Sequence, residues 1–313
     1  MAQYVGIHTQ IRRNNTRSVL LLLGFPLLVL AAVYAFLYLT TPQYETGPAY
    51  DVNEVFVQTI PGVLIAVAIW FGIAFLFHSH LINSAAGSKS LERKDNMRVY
   101  NLVENLCMSK GMRMPKVNVI EDPALNAFAS GINEKTYTVT LTRGIIDKLT
   151  DEELEGVIAH ELMHIRNKDV RLLIVSVIFV GIFSFVAQIL FRNMIYGGGR
   201  RRENKDNRAI LIAMVIAFVA FLLSMLFRFA ISRKREYMAD SGAAEMTKNP
   251  MALASALRKI SGNYRVASVK SEDVAEMFIE NRPDKSSGIM SMITGLFATH
   301  PPIEKRIKIL EQF

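Results

Sequence analysis

The sequence predicts a membrane-embedded α+β protein, mainly helical, with a small β-sheet in a polar domain and four hydrophobic helices. Three observations carry this. The 313 residues are 51% hydrophobic yet 20% charged, the balance expected when apolar segments alternate with a polar domain. Four stretches, Ser18–Leu39, Val55–Phe77, Leu172–Phe191 and Ala209–Phe227, carry no charged residue. Each is near the roughly 20 residues that a helix needs to cross a hydrocarbon core about 30 Å thick. Between them lie sections whose apolar residues recur at both helical and strand spacing.

These boundaries divide the chain into an N-terminal hairpin (1–82), a first polar section (83–171), a second hydrophobic hairpin (172–229) and a second polar section (230–313). Arg12, Arg13 and Arg17 precede the first apolar run, as in a secretion signal. The run is longer than a signal's core and no small-residue cleavage site follows clearly, so it reads as an uncleaved anchor. The Thr41–Glu54 loop lacks Lys and Arg, whereas Lys89, Arg93, Lys94 and Arg98 follow the second run. The positive-inside rule therefore puts both flanks of this hairpin in the cytoplasm. The second pair leans towards spanning because both segments are long and uncharged. Its Arg192–Arg208 connection is basic, however, and a hairpin dipping into the bilayer stays open.

The first polar section opens with an amphipathic helix over Leu91–Lys110, stopped by Gly111. Val117–Ile120 reads as a short strand, and Tyr137–Thr142 alternates like a half-buried one. Thr150 and Glu153 form a capping box at the start of the next helix. In the second section, Ala239–Glu245 and Met251–Ile260 read as helices, and Pro301 and Pro302 precede a short final one. The excess of 36 basic over 28 acidic residues largely flanks apolar segments, which suits anionic headgroups better than nucleic acid. A lone cysteine, Cys107, excludes an internal disulfide and a cysteine-based metal site, and fits a reducing compartment.

The capped helix carries His160-Glu161-Leu162-Met163-His164. Residues i and i+4 lie about 40° apart around a helix, so both imidazoles leave one face. Two ring nitrogens at that spacing can share one Zn²⁺, while Glu161 stands beside the ion to take a proton from water. By chance, the same three positions also occur on ordinary amphipathic helices. A catalytic zinc needs a third protein ligand. His8 lies near the terminus, and His78 and His80, at i and i+2, face different ways. Glu236 and Asp240 lie one turn apart, so that Glu236 could bind the ion while Asp240 accepts a hydrogen bond from a ligating imidazole. On residues alone, that pair reads more readily as a solvated helix face.

Taken together, these motifs resemble the HtpX family of bacterial membrane metalloproteases, distantly related to the CAAX prenyl proteases. The resemblance rests on the two N-terminal hydrophobic segments and Asn126-Ala127-Phe128-Ala129. It continues through His160-Glu161-Leu162-Met163-His164-Ile165, Asn167 and Asp169, and the second hydrophobic pair. It ends with Arg235-Glu236 and Asp240, then Thr299-His300-Pro301-Pro302 with Arg306. It implies a zincin-like catalytic domain with one zinc per chain, held by His160, His164 and Glu236, with Glu161 as general base. Asp240, Asn167, Asp169 and Arg306 become supports of the site. Asn126 becomes a hold on the substrate backbone beside the Tyr137–Thr142 edge, the alternative being a turn asparagine. His300 becomes an oxyanion donor, the alternative being a structural loop histidine. Met163 departs from the family, where a small residue is frequent.

The expected function is a zinc endopeptidase of the bacterial cytoplasmic membrane. It is multi-pass, faces the cytoplasm, and cuts misfolded membrane proteins and nearby unfolded chains in quality control and stress response. No oligomeric state is implied. Two rivals stand beside it: a dedicated processing protease, and a scaffold or chaperone with a vestigial metal site. A transporter is disfavoured because no charge lies inside an apolar segment.

Overall fold

The computed structural model describes residues 7–40, 51–175, 178, 192, 211–216, 218–219, 234–267, 269, 277–280 and 301–313. Contacts divide the chain into two compact units. One comprises residues 16–76 and 175–228; the other comprises 1–15, 77–174 and 229–313.

In the first unit, α1 (Ile7–Thr40) and α2 (Val52–Ala86) contain the first two apolar runs and extend beyond them. Both are long and apolar enough to cross a membrane. Phe25 packs with Leu22, Leu28, Val29, Val67 and Phe71. Nearer the end of α1, Tyr34 donates to Asn53 at 3.1 Å and meets Phe56 edge-on. Early α1 residues thus meet late α2 residues, and the two helices run antiparallel. Leu23, Leu27, Val57, Ile65 and Leu76 are exposed, a ring of apolar side chains that water does not favour and lipid accepts. Pro26 and Pro61 sit inside these helices; such prolines are tolerated where neighbouring groups satisfy the freed backbone. The two later apolar segments lie mostly outside the described residues.

The second unit is mainly helical around a four-stranded mixed sheet. Its strands are β1 (Lys89–Ser90), β2 (Lys116–Ile120), β3 (Ala127–Ser130) and β4 (Thr138–Thr142), in the order β1-β2-β4-β3. β2 pairs parallel with β4, and the outer pairs are antiparallel. The first expected helix starts later than its apolar pattern suggests. Leu91 donates its amide to Val117 in the sheet, and α3 (Met97–Ser109) opens only where the Asn96 side chain accepts from the Val99 amide. Cys107 lies buried on this helix, and desolvation raises its thiol to about 11.

The position of Tyr137–Thr142 differs from expectation in two ways. It is not an edge, because β3 covers its outer side. Nor is it half-buried: every residue of β4 is buried, since a central strand has both faces and both edges covered. The edge is β3, whose Ala-Phe-Ala-Ser sequence has too little β-branched character to announce a strand.

Helix α4 (Arg143–Lys148) follows β4 directly and is held at its end by Arg98, which donates to Ile146 O at 2.7 Å and Leu149 O at 2.8 Å. The motif helix α5 (Asp151–Arg166) begins with the expected capping box, a device worth about 1 kcal/mol. Glu153 does more than cap. Its carboxylate also accepts from Ser255 at 2.7 Å and Lys259 at 2.6 Å, fastening α5 to α7 (Pro250–Gly262). Helices α6 (Lys234–Thr247) and α8 (Ile303–Leu310) complete the described unit.

Gly144 sits where a side chain does not fit: an added Cβ would lie 2.1 Å from Pro123 O and 2.6 Å from Ala124 O. This close approach fixes the loop that leads into Asn126 and β3. Gly144→Ala should cost about 1–3 kcal/mol, the usual penalty of overpacking against rigid atoms. The check is the denaturation midpoint, and an unchanged midpoint would show that the loop yields freely.

Candidate metal centre

The site is assembled from α5, α6 and α8. His160 and His164 leave one face of α5, with their Nε2 atoms 3.1 Å apart. From α6, Glu236 brings Oε2 to 3.6 Å from His160 Nε2 and Oε1 to 3.5 Å from His164 Nε2. One ligand atom from each lies within 4.8 Å of the other two. A tetrahedral ion with bonds of about 2.0–2.1 Å separates its ligand atoms by about 3.3–3.4 Å. The observed spacings fall on either side of that value, with a different Glu236 oxygen nearest each imidazole, so the three side chains are grouped closely enough to share one ion.

The outward nitrogens set the tautomers. His160 Nδ1 lies 3.0 Å from Asp240 Oδ1, and His164 Nδ1 lies 3.1 Å from Asp169 Oδ2. A carboxylate at Nδ1 favours the proton there and leaves the Nε2 lone pair for a cation. Asp240 is gripped in turn by Arg306, whose Nε and Nη2 donate at 2.9 and 2.8 Å. Arg306 is fully buried and also approaches Glu236 Oε2 at 3.7 Å. Arg235 approaches Asp169 through its backbone oxygen at 3.3 Å and its carboxylate at 4.0 Å.

Carboxylates therefore outnumber guanidinium groups here: Glu161, Asp169, Glu236 and Asp240 are all buried, against Arg235 and Arg306. The titration of His160 reflects this excess. Burial and the Arg306 charge both favour the neutral ring, yet the hydrogen bonds that the ring donates to the Asp240 and Glu236 carboxylates outweigh them and raise it to about 9. Burial alone would raise Asp240, but the charges of Arg306 and His160 hold it down at about 2. Burial alone would lower Arg306, but its carboxylate partners, Asp240 first, outweigh that and raise it. At neutral pH a divalent ion at Nε2 would therefore have to displace a proton from His160.

Helix α6 can approach α5 closely because of Gly242. A Cβ there would lie 2.4 Å from Met163 Cε, so the large residue at position 163 is accommodated by the missing one at 242. Asn167 is the C-terminal cap of α5, with its amide donating to Met163 O. His78 is buried, with Ser79 Oγ 3.1 Å from its Nε2. His300 lies outside the described residues.

Asn126 is buried and engaged by its own chain. Its Nδ2 donates to Tyr264 O at 2.7 Å and Glu280 O at 2.9 Å, and its Oδ1 accepts from the Ala127 amide at 3.0 Å. Sequence reasoning missed the roles of Arg235 and Glu280, and in Glu153 it saw only the cap. The first stands next to Glu236 in the quoted motif, and its neighbour drew attention away from it. The other two act through partners more than a hundred residues away, which no local pattern displays.

Fold and site define a membrane metalloprotease, and comparison with known proteins agrees. Residues 93–313 match Peptidase family M48, and the chain belongs to that family. It is 58% identical to a "Protease HtpX homolog" of Bacteroides fragilis strain ATCC 25285, over 99% of this chain and all of that protein. A "Protease HtpX homolog" of Tropheryma whipplei strain Twist is 37% identical over 80% of this chain and 84% of its own. Among solved structures, the S. mikatae Ste24p crystal structure aligns at a TM-score of 0.47 and 17% identity, covering 93% of this chain and 63% of that one.

Asp240→Asn removes the charge that orients His160 and should weaken metal binding about 10- to 100-fold, measured by competition with a chelating dye. Binding at neutral pH must also displace the His160 proton. From this group alone the apparent dissociation constant should fall about tenfold per pH unit, levelling off near 9, where the free ring is already neutral. Titrations in two buffers of different ionisation enthalpy read the proton released.

Proposed function

We propose that the chain is a zinc-dependent endopeptidase that hydrolyses misfolded membrane proteins and nearby unfolded chains, with its polar domain in the cytoplasm. The observation carrying this reading is the convergence of His160, His164 and Glu236 on one point. Two imidazoles and a carboxylate with an open fourth position form a donor set suited to catalytic zinc. When bound, such an ion polarises the scissile carbonyl and lowers the pKa of water to about 7.

The chain's own residues then divide the work. Glu161, one position along α5 from His160 and buried, takes the proton from the attacking water and returns it to the leaving amine. Asp240 and Asp169 hold the two imidazoles, and Arg306 holds Asp240. Asn126 and the outer side of β3 offer backbone-type partners to an extended polypeptide, which positions it with few demands on its side chains. His300 is assigned to the oxyanion on the family resemblance alone.

On this reading residues 1–82 form a hairpin anchor in the bacterial cytoplasmic membrane, 83–171 and 230–313 lie together on the inner side, and 172–229 returns to the bilayer between them; the charge-free N-terminal helices and the flanking basic residues support it. Quality control under stress is the role that the family resemblance implies, and a site near the inner leaflet suits it. A scaffold with a vestigial site is the contrasting reading, and the presence of Glu161 argues against it.

Glu161→Gln should retain one zinc per chain while cleavage of unfolded casein by purified protein falls by about 10²–10⁴-fold. A chelator should abolish wild-type cleavage and added zinc restore it; undiminished cleavage in the variant would defeat the assignment. For topology, a cysteine replacing exposed Glu54 should react with an impermeant maleimide on intact cells, whereas one replacing Arg93 should not. Cys107 is buried and adds little background.

A further inference from the structure

The outer side of β3 is already paired. By the alternation of an antiparallel ladder, Ala127 and Ala129 turn their backbone groups away from β4, towards the side where an added strand would lie. Residues 277–280 occupy that side. The Ile279 amide donates to Ala127 O at 2.8 Å. One residue on, the Glu280 amide approaches Asn126 Oδ1 at 3.4 Å, while Asn126 Nδ2 donates back to Glu280 O. One residue earlier, the Phe278 ring meets Phe128 edge-on with centroids 4.9 Å apart.

The matched pairs 126/280, 127/279 and 128/278 run in opposite chain directions, so the segment lies antiparallel to β3. All four of its residues, Met277, Phe278, Ile279 and Glu280, are buried. It also reaches the metal centre, because Arg306 Nη1 donates to Ile279 O at 3.2 Å. A short segment without regular secondary structure thus makes the contacts that the proposed substrate would make, with the edge strand and Asn126.

We propose that Met277–Glu280 is an autoinhibitory strap, an internal strand held on the substrate-binding edge that an extended polypeptide must displace before cleavage. The inference rests on the endopeptidase reading above. It differs from a purely structural role in one consequence: the strap and the substrate exclude each other. Only molecules with the strap released bind substrate, so the apparent affinity is reduced by the fraction released.

The test uses the full-length, zinc-loaded protein in detergent. Phe278→Ala weakens the strap without touching Asn126, Arg306 or the candidate ligands. Its KM for unfolded casein should fall about three- to tenfold, the factor expected if the released form is about a tenth to a third of the wild type. A synthetic peptide spanning residues 274–283 should inhibit the variant more strongly than the wild type. A variant that binds one zinc, keeps its helical spectrum and shows an unchanged or higher KM overturns the proposal.

Should Phe278→Ala not fold, hydrogen exchange on Glu161→Gln decides instead. With casein bound, the Ile279 amide should exchange faster while Ala127–Ser130 remains protected; an Ile279 amide that stays protected overturns the proposal. Complete lack of cleavage by zinc-loaded wild type defeats the endopeptidase reading, whereas the exchange experiment reads the strap without any cleavage.

Discussion

Everything at the candidate metal centre depends on one buried ion pair, Asp240 with Arg306. A fully buried guanidinium is costly to desolvate, and a carboxylate beside it repays that cost only when geometry and hydrogen bonding are good. Here both Asp240 oxygens accept from Arg306, and Oδ1 also faces His160 Nδ1. The pair therefore connects α8 to α6 and α6 to α5. It joins a residue near the C-terminal end of the chain to the ring of a histidine 146 positions earlier. The imidazole is held in orientation and tautomer by a charge that is itself held, which is the preorganisation a catalytic centre needs.

Packing sets the distance at which this electrostatic arrangement works. Met163 against Gly242 brings α5 and α6 together, and the Glu153 bonds to Ser255 and Lys259 fasten α7 along the start of α5. The motif helix is thus gripped near both ends, by polar contacts at its capped start and by close apolar contact beside the histidines. Of the α5 side chains from Gly156 onwards, only His164 and Arg166 are not fully buried, as suits a centre that must admit a substrate beside one ligand.

Much of this was legible in the sequence, and the reason differs from residue to residue. The two N-terminal helices and the capping box are local, since charge-free length and a Thr-to-Glu spacing are complete statements about their own surroundings. His160 and His164 are legible because their four-residue spacing encodes a shared face. Glu236 was legible only through its resemblance to a known pattern, because no local signal distinguishes it from a glutamate on a wet helix face. The sheet's edge was misread for a physical reason. Alternating Thr and Val at 137–142 resembles a strand with one wet side, but those threonines are buried. The real edge is built from alanines, which carry no pattern. Residues 277–280 illustrate the same limit, because their position is fixed by partners about 150 residues away.

The setting of Cys107 has a bearing on durability. Its sulfur is enclosed in α3 and its thiol is held well above neutral pH, so the nucleophilic thiolate is scarce and shielded. Peroxide and glutathione disulfide act on accessible thiolates, and this chain offers neither a partner cysteine nor an open one. The polar domain therefore presents no ready thiolate through which an oxidising episode could form a crosslink or a mixed disulfide.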